Sequence, residues 1–96
     1  MNLRAVPESK IEREVCAHAT KLGWWCLKLS SPSNRGMPDR MLVKAPGRIV
    51  FIEFKRFGKK PTELQGFIIR KLLGLQFQVT VVDNIEDGKA FIDGLA

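Results

Sequence analysis

The sequence predicts a single α/β domain in which helices flank a mixed β-sheet, in the order α-β-β-β-α-β-α. Apolar residues recur at helical spacing in three segments, and they alternate or run continuously in four others. A short turn joins the second and third of these strand segments, which favours an antiparallel hairpin, whereas a helix separates the third from the fourth, which favours a parallel crossover. At 96 residues the chain has room for one modest core, and we expect one domain over residues 1–96.

The chain is predicted to begin with an arm, a helix and a strand. Residues 1–7 have no periodicity and are predicted to form a flexible arm. Residues 7–22 are predicted to be a helix that stops at Gly23. One face of this helix carries Ile11, Val15, His18 and Leu22. Residues 24–29 alternate as a strand does.

A loop and a hairpin are predicted to follow. Residues 30–36, S-S-P-S-N-R-G, have the composition of a loop, and residues 37–43 are a strand candidate. A turn at residues 45–48 leads into residues 48–55, R-I-V-F-I-E-F-K. The unbroken β-branched and aromatic run in that segment suits a central strand buried on both faces.

The last part of the chain is predicted to complete the sheet. A loop at residues 57–60 precedes a helix at 62–73, a strand at 76–82 and a short helix at 86–95. The crossover from the third strand through the helix to the fourth is expected to be a right-handed parallel unit.

Two carboxylates and a lysine form the most informative pattern in the chain, P-D-x13-E-x-K. The hairpin returns the chain so that Asp39 lies beside Glu53, and strand alternation puts Lys55 on the same face as Glu53. Two adjacent carboxylates repel each other unless a cation lies between them, and oxygen ligands favour Mg²⁺ or Mn²⁺ over zinc. The carbonyl of Phe54 is a further candidate ligand. This set suits metal-dependent phosphodiester hydrolysis, although a Glu–Lys pair at a strand end is also found on ordinary surfaces.

The first helix offers a third acid. Glu8 and Glu12 are one turn apart, so either side chain can reach the hairpin from the same face. Ser9 and Glu12 also fit a capping box, which needs Glu12 only at the start of its own helix.

In its ordered motifs the sequence resembles the PD-(D/E)xK nuclease superfamily and, more closely, the small stand-alone VRR-NUC family of phages and bacteria. The resemblance covers residues 8–82, and it departs from the family at Phe54, where valine or leucine is usual. The matching segments are Glu8-x-x-Ile11-Glu12, Gly23-Trp24, Lys28-x-x-Ser31-Pro32, Gly36-x-Pro38-Asp39-Arg40, Phe51-Ile52-Glu53-Phe54-Lys55 and Gln65.

The resemblance implies a fold, an activity and an assembly. It implies a restriction-endonuclease-like core and a DNA endonuclease dependent on Mg²⁺ or Mn²⁺. The catalytic set it implies is Asp39, Glu53, Lys55, Glu12 and Gln65, with Asp39, Glu53, Phe54 and Glu12 at the metal. Small members of the family are similar to Holliday-junction resolvases, which implies a homodimer acting on branched DNA. Gln65 also fits a capping box with Thr62, and both roles are compatible.

Basic residues surround the predicted site. The run that begins at Lys55 and contains Arg56, Lys59 and Lys60 is expected to contact DNA, and Arg35 in the preceding loop is expected to lie where a strand passes. Lys59 and Lys60 lie just before a helix N-terminus, where a bound phosphate would relieve their unfavourable interaction with the helix dipole. A solvated charge cluster is the plain alternative. Arg40 should point away from Asp39.

Bulk properties narrow the function further. The net charge of +6 and pI near 9.8 favour a polyanionic partner. Nothing resembles a signal peptide or a membrane span, so a cytoplasmic protein is expected. His18 is the only histidine, which argues against multi-histidine nucleases and Ser-His or Cys-His hydrolases. Cys16 and Cys26 are expected to be free thiols, since a zinc site would lack a fourth ligand.

The helix at residues 62–73 has more apolar surface than one sheet can cover. Its apolar positions span roughly 240° of the circumference. They are Leu64, Phe67, Ile68, Ile69, Leu72 and Leu73. A second buried surface, such as a twofold contact with another copy, would account for the excess. The sequence thus predicts a metal-dependent DNA endonuclease, with an inert branched-DNA-binding module and an RNA-processing nuclease as the alternatives.

Overall fold

The computed structural model describes residues 2–29 and 35–95, and the predicted α/β architecture is confirmed there. The helices are α1 (Glu8–Lys21), α2 (Glu63–Gly74) and α3 (Ile85–Asp93). The strands are β1 (Trp25–Lys28), β2 (Arg40–Lys44), β3 (Arg48–Phe54) and β4 (Gln78–Val82). Their order in the sheet is β1-β2-β3-β4; β2 is antiparallel to both of its neighbours, β1 and β3, and β4 is parallel to β3 as predicted. Residues 30–34 of the predicted loop lie outside the described ranges.

The hydrophobic core lies between one face of the sheet and the two helices α1 and α3. It consists of Ile11, Val15, Ala19, Trp24, Leu42, Val50, Ile52, Phe54, Val82, Ile92 and Leu95. Alternation along β3 sends Val50, Ile52 and Phe54 into this core and leaves Phe51 and Glu53 on the other face. α2 contributes no buried residue. No helix in the described residues has the length and apolar character needed to cross a bilayer.

The register of the hairpin determines where the acidic pair lies. Arg40 pairs with Ile52, so the preceding residue, Asp39, is set beside Glu53. β2 begins at Arg40, three residues later than predicted, because Pro38 has no N–H to donate to a ladder. The N–H of Leu29 still donates to the carbonyl of Asp39 at 2.9 Å, which fixes the backbone just before the strand.

The ends of the helices differ in how they are capped. α1 begins after Pro7 without a side-chain cap, so Ser9 lies inside the helix and the capping box considered for Ser9 and Glu12 does not form. α2 has the predicted capping box, because Thr62 and Gln65 bond reciprocally. The side chain of Asn84 caps α3 by accepting from the N–H of Asp87, and this moves the start of that helix to Ile85.

The N-terminal arm, whose flexibility stays a prediction, has local structure in its described part. Leu3–Ala5 form a 3-10 turn that is capped by Asn2. Val6 packs against the core, and the guanidinium of Arg56 bonds the carbonyl of Arg4. This segment is held in place by contacts with residues far away along the chain. Its own sequence therefore shows no periodicity of apolar residues.

Candidate active site

Asp39 is held at the entrance to β2 by the backbone of the neighbouring strand. Its Oδ2 accepts a hydrogen bond from the N–H of Phe54 at 2.7 Å. In a strand the N–H and C=O of one residue point to the same side, so the Phe54 carbonyl also faces Asp39. This orientation is compatible with the ligand role considered for Phe54.

Glu53 is buried at the end of β3. Only 1% of its surface is exposed, and its Oε1 has no hydrogen-bond partner within the described residues. Its Oε2 lies 3.5 Å from the Nζ of Lys55, which confirms that these two side chains share a face. A buried carboxylate oxygen without a partner is costly, so this position has a reason other than stability.

The candidate site has more negative than positive charge, since Asp39 and Glu53 face the single lysine Lys55. Burial, followed by the charge of the neighbouring Asp39, raises the pKa of Glu53 to about 7, and Lys55 offsets only part of this shift. The site therefore holds the Glu53 proton more tightly than an exposed glutamate would, and a cation placed beside the pair would favour the ionised form.

Glu8 and Glu12 have separate surroundings although they are one turn apart. Burial and the charge of Asp39 raise the pKa of Glu8, and Lys55 opposes this shift, so Glu8 lies near the acidic pair. Glu12 instead accepts from the Nε of Arg40 at 2.6 Å. Arg40 points away from Asp39, as predicted, and the carboxylate of Glu12 is neutralised on that side of the sheet.

The predicted set of three acids at one metal is not assembled. Across residues 2–29 and 35–95, no three Asp, Glu, His or Cys side chains form a group that could hold one ion. Asp39 and Glu53 come together, whereas the Arg40 pair draws Glu12 elsewhere. Hydrophobic spacing gave no sign of this, because it does not reveal how a helix is rotated against a sheet.

The donor set nevertheless fits a hard divalent cation. Mg²⁺ is commonly held by one or two carboxylates, with water and substrate phosphate completing its shell. Asp39 and Glu53 supply two carboxylates, one with an unpartnered oxygen, and the Phe54 carbonyl faces the same space.

Gln65 is occupied in capping its helix. The side-chain Oε1 of Gln65 accepts from the backbone N–H of Thr62 at 2.9 Å. The backbone N–H of Gln65 donates in turn to the Thr62 hydroxyl at 3.2 Å. The segment before Asp39 approaches this helix closely, because a Cβ at Gly36 would lie 2.6 Å from the Cγ of Leu64. Gln65 is thus in the helix next to the site, while the catalytic role implied for it stays a prediction.

The basic side chains near the site are exposed, and one of them also bonds to the N-terminal arm. Arg35, Lys59 and Lys60 are exposed. Arg56 is engaged, since its Nη2 donates to the carbonyl of Arg4 at 2.7 Å. Sequence patterns did not single out Arg4, which contacts the loop that follows Lys55.

The cysteines and the histidine lie apart from the acidic pair. Cys16 and Cys26 are free, as predicted, and their sulfur atoms are 2.9 Å apart. His18 joins α1 to α3 through its Nε2, which lies 2.7 Å from Asp93.

The chain is similar to known proteins in both sequence and structure. The chain is 37% identical over 82 residues to "Putative nuclease p44" of Acyrthosiphon pisum secondary endosymbiont phage 1, covering 85% of this chain and 88% of that protein. A solved structure described as a VRR_NUC domain superposes with a TM-score of 0.84 at 23% identity, covering 93% of this chain and 97% of that one. No family model matches the sequence.

Proposed function

Given that the chain belongs to the VRR-NUC family, we propose that it is a nuclease that hydrolyses DNA phosphodiester bonds with Mg²⁺ or Mn²⁺ held by Asp39 and Glu53. The observation that carries the proposal is the buried Glu53 with its unpartnered Oε1 beside Asp39. A buried carboxylate beside a second one is costly to stability unless a cation or a proton lies between them, which supports a functional role for the pair.

Each residue of the site has its own proposed role. Asp39 and Glu53 bind the cation, and the Phe54 carbonyl faces the same space. Of the two acids on α1, Glu8 is the one whose pKa the charge of Asp39 raises, and we propose that it supports the acidic pair from beside it rather than as a third metal ligand. Glu12, which the family resemblance favoured, holds Arg40 instead.

The chemistry needs charge stabilisation and an activated water. A divalent cation bound at this site would lower the pKa of a bound water and stabilise charge on the phosphate. Lys55, whose Nζ is 3.5 Å from Glu53, is placed to orient the nucleophile or to donate to the developing negative charge.

Branched DNA and a homodimer complete the proposal. Both are implied by the family resemblance. Exposed apolar side chains on α2 support the second, because Leu64, Phe67 and Leu73 are each about half exposed (48%, 55% and 49%). Two copies would carry two sites, as paired cleavage of a four-way junction requires.

The experiment compares a labelled four-way junction, a linear duplex and an RNA strand in Mn²⁺, Mg²⁺ or EDTA. We expect metal-dependent cutting of the junction and a loss of at least about 100-fold in Asp39→Asn, since even replacing a residue that only hydrogen-bonds a metal ligand costs about 10–100-fold. Asp93→Asn, which alters a similar aspartate paired with His18, should cut as wild type does.

Other outcomes would replace the proposal. Cutting by Asp39→Asn at the wild-type rate would show that the site is elsewhere. Junction binding without cutting in any metal would identify an inert branch-binding module. Cutting confined to RNA would identify an RNA-processing nuclease.

A further inference from the structure

The N-terminal 3-10 turn is docked on the loop that leaves the active site. Arg56, the residue after Lys55, donates from its Nη2 to the carbonyl of Arg4 at 2.7 Å. The N–H of Arg4 donates to the side chain of Asn2 at 3.1 Å. Both the N–H and the carbonyl of Arg4 are therefore held. The arm lies beside Arg56, which directly follows Lys55, the predicted catalytic lysine.

The guanidinium of Arg4 is placed over the same loop. Its Cζ lies 5.9 Å from the centroid of the Phe57 ring. A Cβ at Gly58 would lie 3.5 Å from its Nη1, so the loop passes close beneath it without a side chain in the way. Within residues 2–29 and 35–95, no carboxylate lies within ion-pair distance of Arg4.

Nearby charge makes this surface attractive to an anion. Lys59 and Lys60 are exposed on the same loop. The residue after β4, Asp83, is an acid that meets this loop. Its carboxylate accepts from the N–H of Gly58 at 3.0 Å and is thereby tied to the loop backbone. An exposed, oriented arginine among lysines is well suited to phosphate, because its planar fork binds two phosphate oxygens at once.

We propose that Arg4 is a DNA-backbone contact, binding a phosphate next to the one being cut, and that Arg56 is a positioning residue that holds Arg4 in place. The inference rests on the proposed function, since it requires a DNA strand at the Asp39–Glu53 site. It changes the role predicted for Arg56 from direct contact to support. Because the arm is already docked, little conformational entropy is lost when the phosphate binds.

The test measures DNA binding in the Asp39→Asn background, so that cleavage does not interfere. Fluorescence anisotropy with a labelled junction at several salt concentrations gives the Kd and its salt dependence. Arg4→Gln should weaken binding about tenfold, as expected for a charged hydrogen bond, and lower the salt slope by about one. Arg4→Lys, which keeps the charge but not the fork, should keep most of the salt slope and recover only part of the affinity.

The matched control is Lys21→Gln. Lys21 ends α1, roughly 20 Å along the helix from Glu8, and the substitution removes the same charge from the far side of the protein. It should leave the salt slope unchanged. If it weakened binding as much as Arg4→Gln does, the effect would be one of net charge, and the inference would be overturned.

Arg56→Gln tests whether Arg56 only holds Arg4 in place or contacts DNA itself. If Arg56 acts through Arg4, the double variant should bind about as weakly as Arg4→Gln alone, because the two changes remove one contact. Fully additive losses with a slope lowered by about two would show that Arg56 binds DNA itself and would overturn its positioning role.

Cleavage kinetics with the Asp39 site intact complete the test. Arg4→Gln should raise KM with kcat within about twofold of wild type, as expected when an interaction is equal in the ground and transition states. Wild-type affinity and salt slope in Arg4→Gln would refute the inference. Failure of the proposed function would be seen separately, as wild-type protein that does not cut in any metal.

Discussion

At the scale of single residues, Glu53 shows how the site departs from what stability alone would select. Its carboxylate is buried beside Asp39, and burial together with that neighbour raises its pKa to about 7. In the unfolded chain the same group would have a pKa near 4.5. The folded protein therefore binds this proton more tightly than the unfolded chain does.

This difference predicts how stability depends on pH in metal-free protein. The contribution of protonated Glu53 is fully present below pH 4.5 and is lost as pH rises through about 7. Replacing Glu53 by Gln removes the charge while keeping the shape, so Glu53→Gln should be more stable than wild type by roughly 3 kcal/mol at pH 8. Urea denaturation in EDTA at pH 5 and pH 8 measures the gap, which should be smaller at pH 5.

Two further measurements sharpen that comparison. Mn²⁺ should stabilise wild type and narrow the gap, because the proposed function has the ion bind the acidic pair only when the chain is folded. Glu14→Gln, a similar change on α1 outside the site, should leave the pH dependence as it is. A wild-type protein more stable than Glu53→Gln at pH 8 in EDTA would contradict the explanation given for Glu53.

Residue positions were predictable where strand alternation decides them. Alternation and the hairpin together placed Asp39, Glu53 and Lys55, and they also predicted that Arg40 points away. The partner of Glu12 was not predictable, because it depends on how α1 is rotated over the sheet. Arg4 was missed because the contacts that order it come from residues more than 50 positions away.

At the scale of secondary-structure elements, Gly88 allows α3 to approach α1 closely. A Cβ at Gly88 would lie 2.4 Å from Val15 Cγ2 and 2.9 Å from Val82 Cγ1. Both neighbours belong to the core, so neither can move without disturbing the packing between the helices and the sheet.

A pair of glycine substitutions tests this contact. Gly88→Ala should destabilise the protein by about 1–3 kcal/mol or more through overpacking. Gly74→Ala, also in a helix but with nothing within 4 Å of its Cβ, should be neutral or stabilise by up to about 1 kcal/mol. Thermal denaturation of the two variants measures both effects, and equal Tm values would show that α3 is not closely packed at Gly88.

The elements themselves were largely predictable, and their ends less so. Apolar patterning located the three helices and four strands of the described residues, because each carries apolar side chains at the spacing of its own type. The starts of β2 and α3 were displaced by Pro38 and Asn84, whose effects depend on local backbone bonds. The capping box considered for Ser9 was excluded because the helix begins at Glu8, two residues earlier than a cap at Ser9 would place it.

At the scale of the whole molecule, α2 is the least covered of the three α-helices of the described residues. It has no buried residue, and Phe67 is 55% exposed. The sequence anticipated an uncovered face from the apolar circumference of this helix, but no pattern within one chain reveals what covers it.

The proposed homodimer gives a direct prediction for this face. Phe67→Asp should convert a dimer into a monomer in sedimentation experiments, because it places a charge in an apolar contact. Leu22→Asp, at an exposed leucine (43%) on the end of α1, should leave the dimer intact. A wild-type protein that is monomeric at all concentrations, or a dimer unaffected by Phe67→Asp, would show that α2 serves another purpose.

The hairpin that carries Asp39 and Glu53 also matters while the protein is being made. Both strands of the hairpin leave the ribosome before α2 and β4 do, so the chemical groups of the site meet early. The other edge of β3 receives its parallel partner only once Val82 has emerged. During that time the nascent chain presents an unpaired apolar edge of the kind that drives misassociation. The segment that carries the chemistry is therefore also the segment most at risk during translation.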